Sequence, residues 1–238
     1  MNNIRVLMDP EQRQKFLDKL LEIDGLGRVE ENPDAAYCFI SLTQTPDELK
    51  SILRARQKTL IDNVLFRSGI TGYDPEKAPF SPDRDLTTLP GFVYSIDSGK
   101  IAGARYFVGH NLLPSTGQGI EMEKAKTLMR VPVVLTDRTI RISRMQPHRT
   151  IYLQYQKFDQ QAAEFVSVFK FLSQYNPGIG FNGNTPALLG FEKNSGKVVD
   201  LEEEVYRIFP NLQYHYDGRV PIIRLRAENP ELFYERVV

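Results

Sequence analysis

Ala36-Tyr37-Cys38-Phe39-Ile40-Ser41-Leu42 is an almost continuous apolar run, closed on both sides by turn-forming residues. A strand with one wet face alternates apolar and polar residues. A run without that alternation is buried on both faces, as strands of a parallel sheet are. Downstream, Thr45-Pro46-Asp47-Glu48 reads as an N-cap, a proline in the first helical position and acids in the first turn. Leu49, Ile52, Leu53, Leu60, Ile61, Val64 and Leu65 carry that helix on. Residues 70–73 form a second short strand, and a proline-rich loop runs from there to Pro90. Residues 91–104 read as a helix with Gly99 or Gly103 as break points. Tyr106-Phe107-Val108-Gly109 is a third strand, 119–129 a helix, 131–135 and 150–155 two more strands, and 158–174 a helix. Strands alternating with helices predict a doubly wound α/β core over residues 35–176. Its mostly parallel, five-stranded sheet is expected in the flavodoxin-like order.

Two flanking stretches have a different texture. Residues 1–34 are an N-terminal extension, with a short apolar run at 4–8 and a helical pattern from Asp9-Pro10 to Ile23. After Asn176-Pro177-Gly178, residues 187–191 and 220–224 read as strands around a short helix at 201–208. Residues 177–238 are therefore expected to form a small α+β appendage.

Composition narrows the function classes. The chain has 238 residues, 41% hydrophobic and 25% charged, with 30 basic against 30 acidic, which is ordinary for a soluble globular protein. Zero net charge argues against a nucleic-acid partner that binds through a globally basic surface. No apolar run is long enough to span a bilayer, so no membrane partner is expected. Nor does Met1-Asn2-Asn3-Ile4-Arg5 resemble a secretion signal; the expected location is cytoplasmic. Cys38 is the single cysteine, which excludes an internal disulfide and a multi-cysteine zinc site. His110, His148 and His215 lack paired metal-ligand spacing, so no metal is expected. Gly178-x-Gly180-x-x-Gly183 follows a helix, which is the wrong context for a dinucleotide fingerprint.

Ligands of doubly wound sheets bind beyond the carboxyl ends of the strands. The segment there after the third strand is His110-Asn111-Leu112-Leu113-Pro114-Ser115-Thr116-Gly117-Gln118-Gly119-Ile120-Glu121. Ser115 or Thr116 caps the next helix, and Ser115-x-x-Gln118 fits a capping box. Gly117 and Gly119 let backbone amides at 116–119 approach a ligand, where a helix start favours an anion or a sugar oxygen. Glu121 is expected in or near the first turn, where the helix dipole keeps its carboxylate ionised. A fixed carboxylate beside such a cradle suits a nucleophile at an anomeric carbon. The plainer reading, that Glu121 only complements the helix start, is favoured by position alone.

The run 114–121 resembles the active-site signature of the nucleoside 2-deoxyribosyltransferase family and its nucleotide N-glycosidase relatives. Tyr94-Ser95-Ile96-Asp97-Ser98-Gly99-Lys100-Ile101-Ala102-Gly103-Ala104-Arg105 resembles the family's aspartate-bearing helix. Ala125 and Arg130-Val131-Pro132-Val133-Val134-Leu135 resemble its next helix and fourth strand, and Tyr73-Asp74-Pro75 and Ser81-Pro82 its turns. The likeness covers roughly residues 36–155. It implies Glu121 as nucleophile and Asp97 as the residue that contacts the base and handles the leaving-group proton. Ser115 stands where transferases have aspartate and nucleotide hydrolases a serine that holds a 5′-phosphate. Ser115, with Thr116, Gly117 and Gly119 of the helix start, is the expected substrate-binding set, joined by Asn111 from its place after the third strand and by Ser41 and Thr43 as hydrogen-bonding residues of the first-strand loop, with no cofactor. The implied partners are a nucleoside or nucleotide and, since relatives often complete the site with a neighbouring subunit, a second copy of the chain in a homo-oligomer. The first-strand loop departs from the family in having no glycine between Phe39 and Pro46, and the match does not place the tyrosine that accompanies the family's nucleophile. Arg105 also replaces the family's usual aspartate, and a surface or packing role is the better reading for it and for Tyr94.

Other readings of the same features stay open. Asp83, Arg84 and Asp85 form either a lid or a solvated turn. Arg138, Arg141, Arg144, His148 and Arg149 make either a phosphate contact or one charged face of a strand. The competing functions are a non-catalytic nucleotide sensor on the same pocket and a protein-interaction module with an apolar patch around Tyr206, Phe209, Tyr214 and Tyr216.

Overall fold

The computed structural model describes residues 4–6, 15, 18–19, 21–22, 25, 27–42, 45–77, 89–111, 115–138, 149–182 and 185–214. The chain forms β1 (Ile4–Val6), β2 (Asn32–Phe39), α1 (Asp47–Thr59), β3 (Thr71–Tyr73), α2 (Leu89–Gly103), β4 (Ala104–His110) and α3 (Thr116–Thr127). It continues through β5 (Val131–Asp137), β6 (Ile151–Tyr155), α4 (Ala162–Leu172), β7 (Tyr175–Asn182), β8 (Thr185–Glu192), β9 (Val198–Asp200) and α5 (Leu201–Ile208).

Five strands make one parallel sheet in the order β3-β2-β4-β5-β6, the doubly wound arrangement expected from the alternating elements. Every residue of β4 is buried, which is why its sequence does not alternate. The pleat sends successive side chains to opposite faces. Tyr106 and Val108 join Val133, Leu135, Leu153, Phe165 and Phe169 in a core under α4 and the turn after α1. Tyr37, Phe39 and Phe107 face the other way, with Ile101 of α2 and Ala125, Leu128 and Met129 at the end of α3. On that second face Phe107 stacks on both Phe39 and Tyr37, at centroid separations of 4.6 and 5.7 Å. Gly109 is required beside them: a Cβ there would stand 2.4 Å from the Phe39 carbonyl oxygen.

Several local expectations are corrected. Thr45 does not cap α1; Pro46 is the N-cap residue, and the Thr45 hydroxyl donates instead to the Ser41 carbonyl. The helix beyond Thr59 widens into a π turn over Leu60–Leu65, so the single long helix read from the apolar spacing changes pitch at that point. Gly99 does not interrupt α2, and α3 begins at Thr116 rather than at Gly119.

The second sheet is antiparallel, in the order β1-β7-β8-β9. β1, from the N-terminal stretch, pairs with β7, so the two flanking stretches share one sheet. β7 contains Pro177, Gly178 and Gly180 and carries no strand signal in its sequence. β1 covers only Gly180–Asn182, so among the described residues no strand pairs with Pro177 on that side, where a missing N–H is tolerated. Gly178 makes room for the Phe191 ring of β8, which would meet a Cβ at 2.5 Å. The expected strand at 220–224 lies outside the described residues, as do residues 83–85, Arg141, Arg144, His148, His215 and Tyr216. Phe209 of the proposed interaction patch is partly buried and packs on the core, and the Tyr206 hydroxyl accepts from the Tyr152 N–H at 2.9 Å, covering the outer edge of β6. Among the described residues no helix is long and apolar enough to cross a membrane.

Candidate active site

α2 and α3 precede β4 and β5 and lie side by side on the Phe107 face of the sheet. Between them is a cleft of about 240 Å³. Val93, Tyr94, Asp97, Ser98 and Ile101 line it from α2; Gly117, Ile120, Glu121 and Lys124 line it from α3. The spacing follows from the helix: residues three and four apart share a face. Asp97 and Glu121, distant in sequence, are thus placed in one cleft.

The helix start behaves in part as its sequence reads. Ser115 is the N-cap residue, and its hydroxyl accepts from the Gln118 N–H at 3.4 Å. The Gly119 N–H donates to the Ser115 carbonyl at 3.1 Å. Two of the four amides expected to face a ligand are therefore engaged within the helix. Those of Thr116 and Gly117 belong to its first turn and have no intrahelical acceptor.

Glu121 departs from expectation. It is the sixth residue of α3, in the second turn, where the dipole at the helix start no longer governs its ionisation. Its carboxyl is instead pushed up to about 8, by burial first and then by the Asp97 charge, with Tyr37 pulling the other way. Asp97 is also raised by burial and held back by Tyr37. At neutral pH the Glu121 carboxyl is therefore mostly protonated, which relieves its repulsion by a charged Asp97.

Tyr37 is the residue the sequence reading missed. It lies in β2, fully buried, and burial followed by the charges of Glu121 and Asp97 pushes its hydroxyl far above the ordinary phenol range. The hydroxyl therefore stays protonated. It makes no hydrogen bond of ordinary geometry among the described residues, yet it stands near enough to both carboxyls to act on each. The available signal was one ionisable hydroxyl inside an otherwise apolar run.

The remaining candidates are dispersed. Thr116 and Gly119 are exposed at the head of α3 and do not line the cleft. Ser41 is buried with an unpartnered hydroxyl, and Asn111 donates its N–H to the Leu135 carbonyl at 2.9 Å; neither lines the cleft. Thr43 lies outside the described residues. His110 is on the opposite face of the sheet, edge-on to Phe158, with Nδ1 3.2 Å from the Tyr155 hydroxyl. Burial lowers it to about 3, so it is neutral. Arg105 is buried and ion-paired with Glu31, and Tyr94 is exposed, each within the surface or packing role expected, though Tyr94 also lines the cleft. Among the described residues no group of three or more His, Cys, Asp or Glu side chains is placed to hold a metal ion. No protein-family model matches the chain, and no curated protein matches it in sequence.

Proposed function

We propose that this chain belongs to the nucleoside 2-deoxyribosyltransferase-like enzymes and acts at the N-glycosidic bond of a nucleoside or nucleotide. The observation that carries the reading is the pairing of Asp97 and Glu121 in one cleft, with the Tyr37 hydroxyl near enough to act on both. A glycosidic displacement needs an ionised carboxylate as nucleophile and a protonated acid for the leaving group. A carboxyl pair holding one proton supplies both once that proton resides on Asp97.

A Glu121 carboxylate oxygen then bonds to C1′ as the C1′–N bond breaks, and the Asp97 proton passes to the departing base nitrogen. Water, or a second base, attacks C1′ in turn and frees Glu121. Asp97 takes up the proton that the attacking molecule loses. Tyr37, neutral throughout, donates toward the carboxylates and orients the nucleophile. Splitting one hard displacement into two is the gain from covalent catalysis.

The direct test is incubation with a panel of deoxynucleosides and their monophosphates, scoring free base by chromatography. Absence of base release from every member defeats the enzyme reading. The competing reading, a non-catalytic nucleotide sensor, is favoured by the elevation of Glu121 to about 8, which leaves it mostly protonated at neutral pH. Ligand binding without base release would select it.

The shared proton also predicts a bell-shaped rate profile. Activity falls as pH rises through about 8, where the pair loses its proton. It falls again at acid pH, on a limb above the ordinary aspartate value because Asp97 is raised too. A rate that climbs steadily through pH 8–9 would mean that only Glu121 must ionise, and would remove Asp97 as the acid.

A further inference from the structure

Tyr73, the last residue of β3, is the direct partner of Tyr37 in the parallel ladder, and the two rings lie 5.7 Å apart. Both rings belong to the face of the sheet that Ile101 of α2 packs on. Lys100 of α2 stands over the Tyr73 ring, its ammonium 5.0 Å from the centroid, a contact that the ring quadrupole favours. Lys100 follows Asp97 by about one helical turn, so the same stretch of α2 carries the acid and meets the ring. The chain beyond β3 is fastened as well. Asp74 accepts from the Glu76 N–H at 3.1 Å, and Arg54 of α1 donates to the Glu76 carboxylate through Nε at 3.0 Å and Nη2 at 2.7 Å.

The Tyr73 hydroxyl, at the tip of this fixed ring, is buried and has no hydrogen-bond partner among the described residues. A buried donor left without an acceptor costs about 1–3 kcal/mol, so such a group calls for a function. Burial first, then the charges of Asp97 and Asp74, raise the hydroxyl above the ordinary phenol value and keep it a donor. Asp74 is engaged already, by the Glu76 N–H and by Lys77 at 3.9 Å. Of the two cleft carboxyls Asp97 alone acts on Tyr73, whereas both act on Tyr37. A phenol has one proton to donate. If Tyr37 spends it on orienting Glu121, Asp97 needs a second donor.

Resting on the glycosidic reading above, we propose that Tyr73 is a positioning residue for the acid, its hydroxyl donating to the Asp97 carboxylate that is left when the departing base takes the proton. The Asp97 O–H bond breaks as the base N–H bond forms, the electron pair of the C1′–N bond leaves with the base, and Tyr73 keeps its own proton. Donors already in place where charge develops lower the barrier to the step that creates it.

The test is Tyr73→Phe in the full chain, which removes one oxygen and keeps the ring beside Tyr37 and Lys100. With deoxynucleosides, kcat for base release should fall by about tenfold while KM changes little. With p-nitrophenyl 2-deoxyriboside, whose leaving group departs without a proton, the rate should be unaffected. Equal losses on both substrates, as a merely structural role would give, or no loss on either, overturn the proposal. A second measurement needs no turnover. In protein labelled at the aspartate carboxyls, the Asp97 resonance, assigned by its absence in Asp97→Asn, should titrate about one pH unit higher in Tyr73→Phe than in wild type. In Asp97→Asn itself, the Tyr73 ring carbon that bears the hydroxyl should shift. If no substrate turns over, the glycosidic reading fails separately and these spectra decide Tyr73. A raised Asp97 titration supports the contact; an unchanged one, or an unmoved Tyr73 resonance, overturns it.

Discussion

Glu121→Gln is expected to abolish base release, by about a thousandfold or more, while making the folded protein more stable above neutral pH. Both effects have one origin. Glutamine has nearly the shape of glutamic acid and keeps the cleft filled, but it has no oxygen able to form and release a glycosyl ester. The stability effect follows from linkage. The folded carboxyl sits at about 8 and its ordinary value is 4.5, so the folded state holds a proton that the unfolded chain has lost. Stability contributed by that proton is fully present below pH 4.5 and declines as pH rises through about 8. Glutamine cannot ionise and escapes the decline. Because the side chain is partly exposed, water moderates the effect, and a gain of about 1–2 kcal/mol at pH 8 is expected, or roughly 3–6 °C in melting temperature. Paired activity assays and thermal melts at pH 5 and pH 8 check it. A mutant that still releases base removes Glu121 as nucleophile. A mutant with no stability gain at pH 8 means that the carboxyl is hydrated and that burial does not set its ionisation.

The stability gain also separates this account from the one suggested by the sequence. A glutamate in the first turn of a helix stabilises it by ~0.3–1 kcal/mol, and losing it would lower the melting temperature. The helix start was misplaced by three residues because Thr116 and Gly117 are poor helix formers. Their place in α3 comes from the Ser115 cap and from the burial of Ala125 and the residues after it against the sheet, not from local propensity. The parallel core was legible for the opposite reason: strands buried on both faces are written as apolar runs that no loop or surface helix needs. β7 was illegible because its residues answer to neighbours distant in sequence. Gly178 is shaped by Phe191, and Gly190 by Leu201 and Tyr175. Asp97 and Glu121 could be picked out by their motifs, whereas Tyr37 could not, because its importance lies in what stands above it on two helices.

Glu31→Gln is expected to destabilise the protein by about 3–5 kcal/mol without touching the cleft. Glu31 stands at the amino ends of the strands and holds two buried guanidinium groups at once. Arg105 Nε donates to it at 3.0 Å, and Arg130 Nη1 donates to its other oxygen. The arginine side chains are only 8% and 3% exposed, so water cannot substitute for the lost charge. Arg130 also donates to the Ala104 carbonyl at 3.2 Å and the Leu128 carbonyl at 2.8 Å, and Arg105 to the Tyr175 carbonyl at 3.4 Å. One carboxylate thus fastens the start of β4 and the entry to β5, and through Arg105 the start of β7. Glutamine offers one acceptor oxygen and no charge, which leaves two like charges close together and poorly compensated. Breaking a buried pair from one side is costly, whereas replacing all its members together is often nearly neutral. Glu31→Leu combined with Arg105→Met and Arg130→Met should therefore recover much of the loss that the single substitution causes. Denaturant unfolding of wild type, single and triple variants measures both effects. A single substitution that costs under about 1 kcal/mol would place Glu31 among ordinary surface ion pairs, contrary to the burial of its partners.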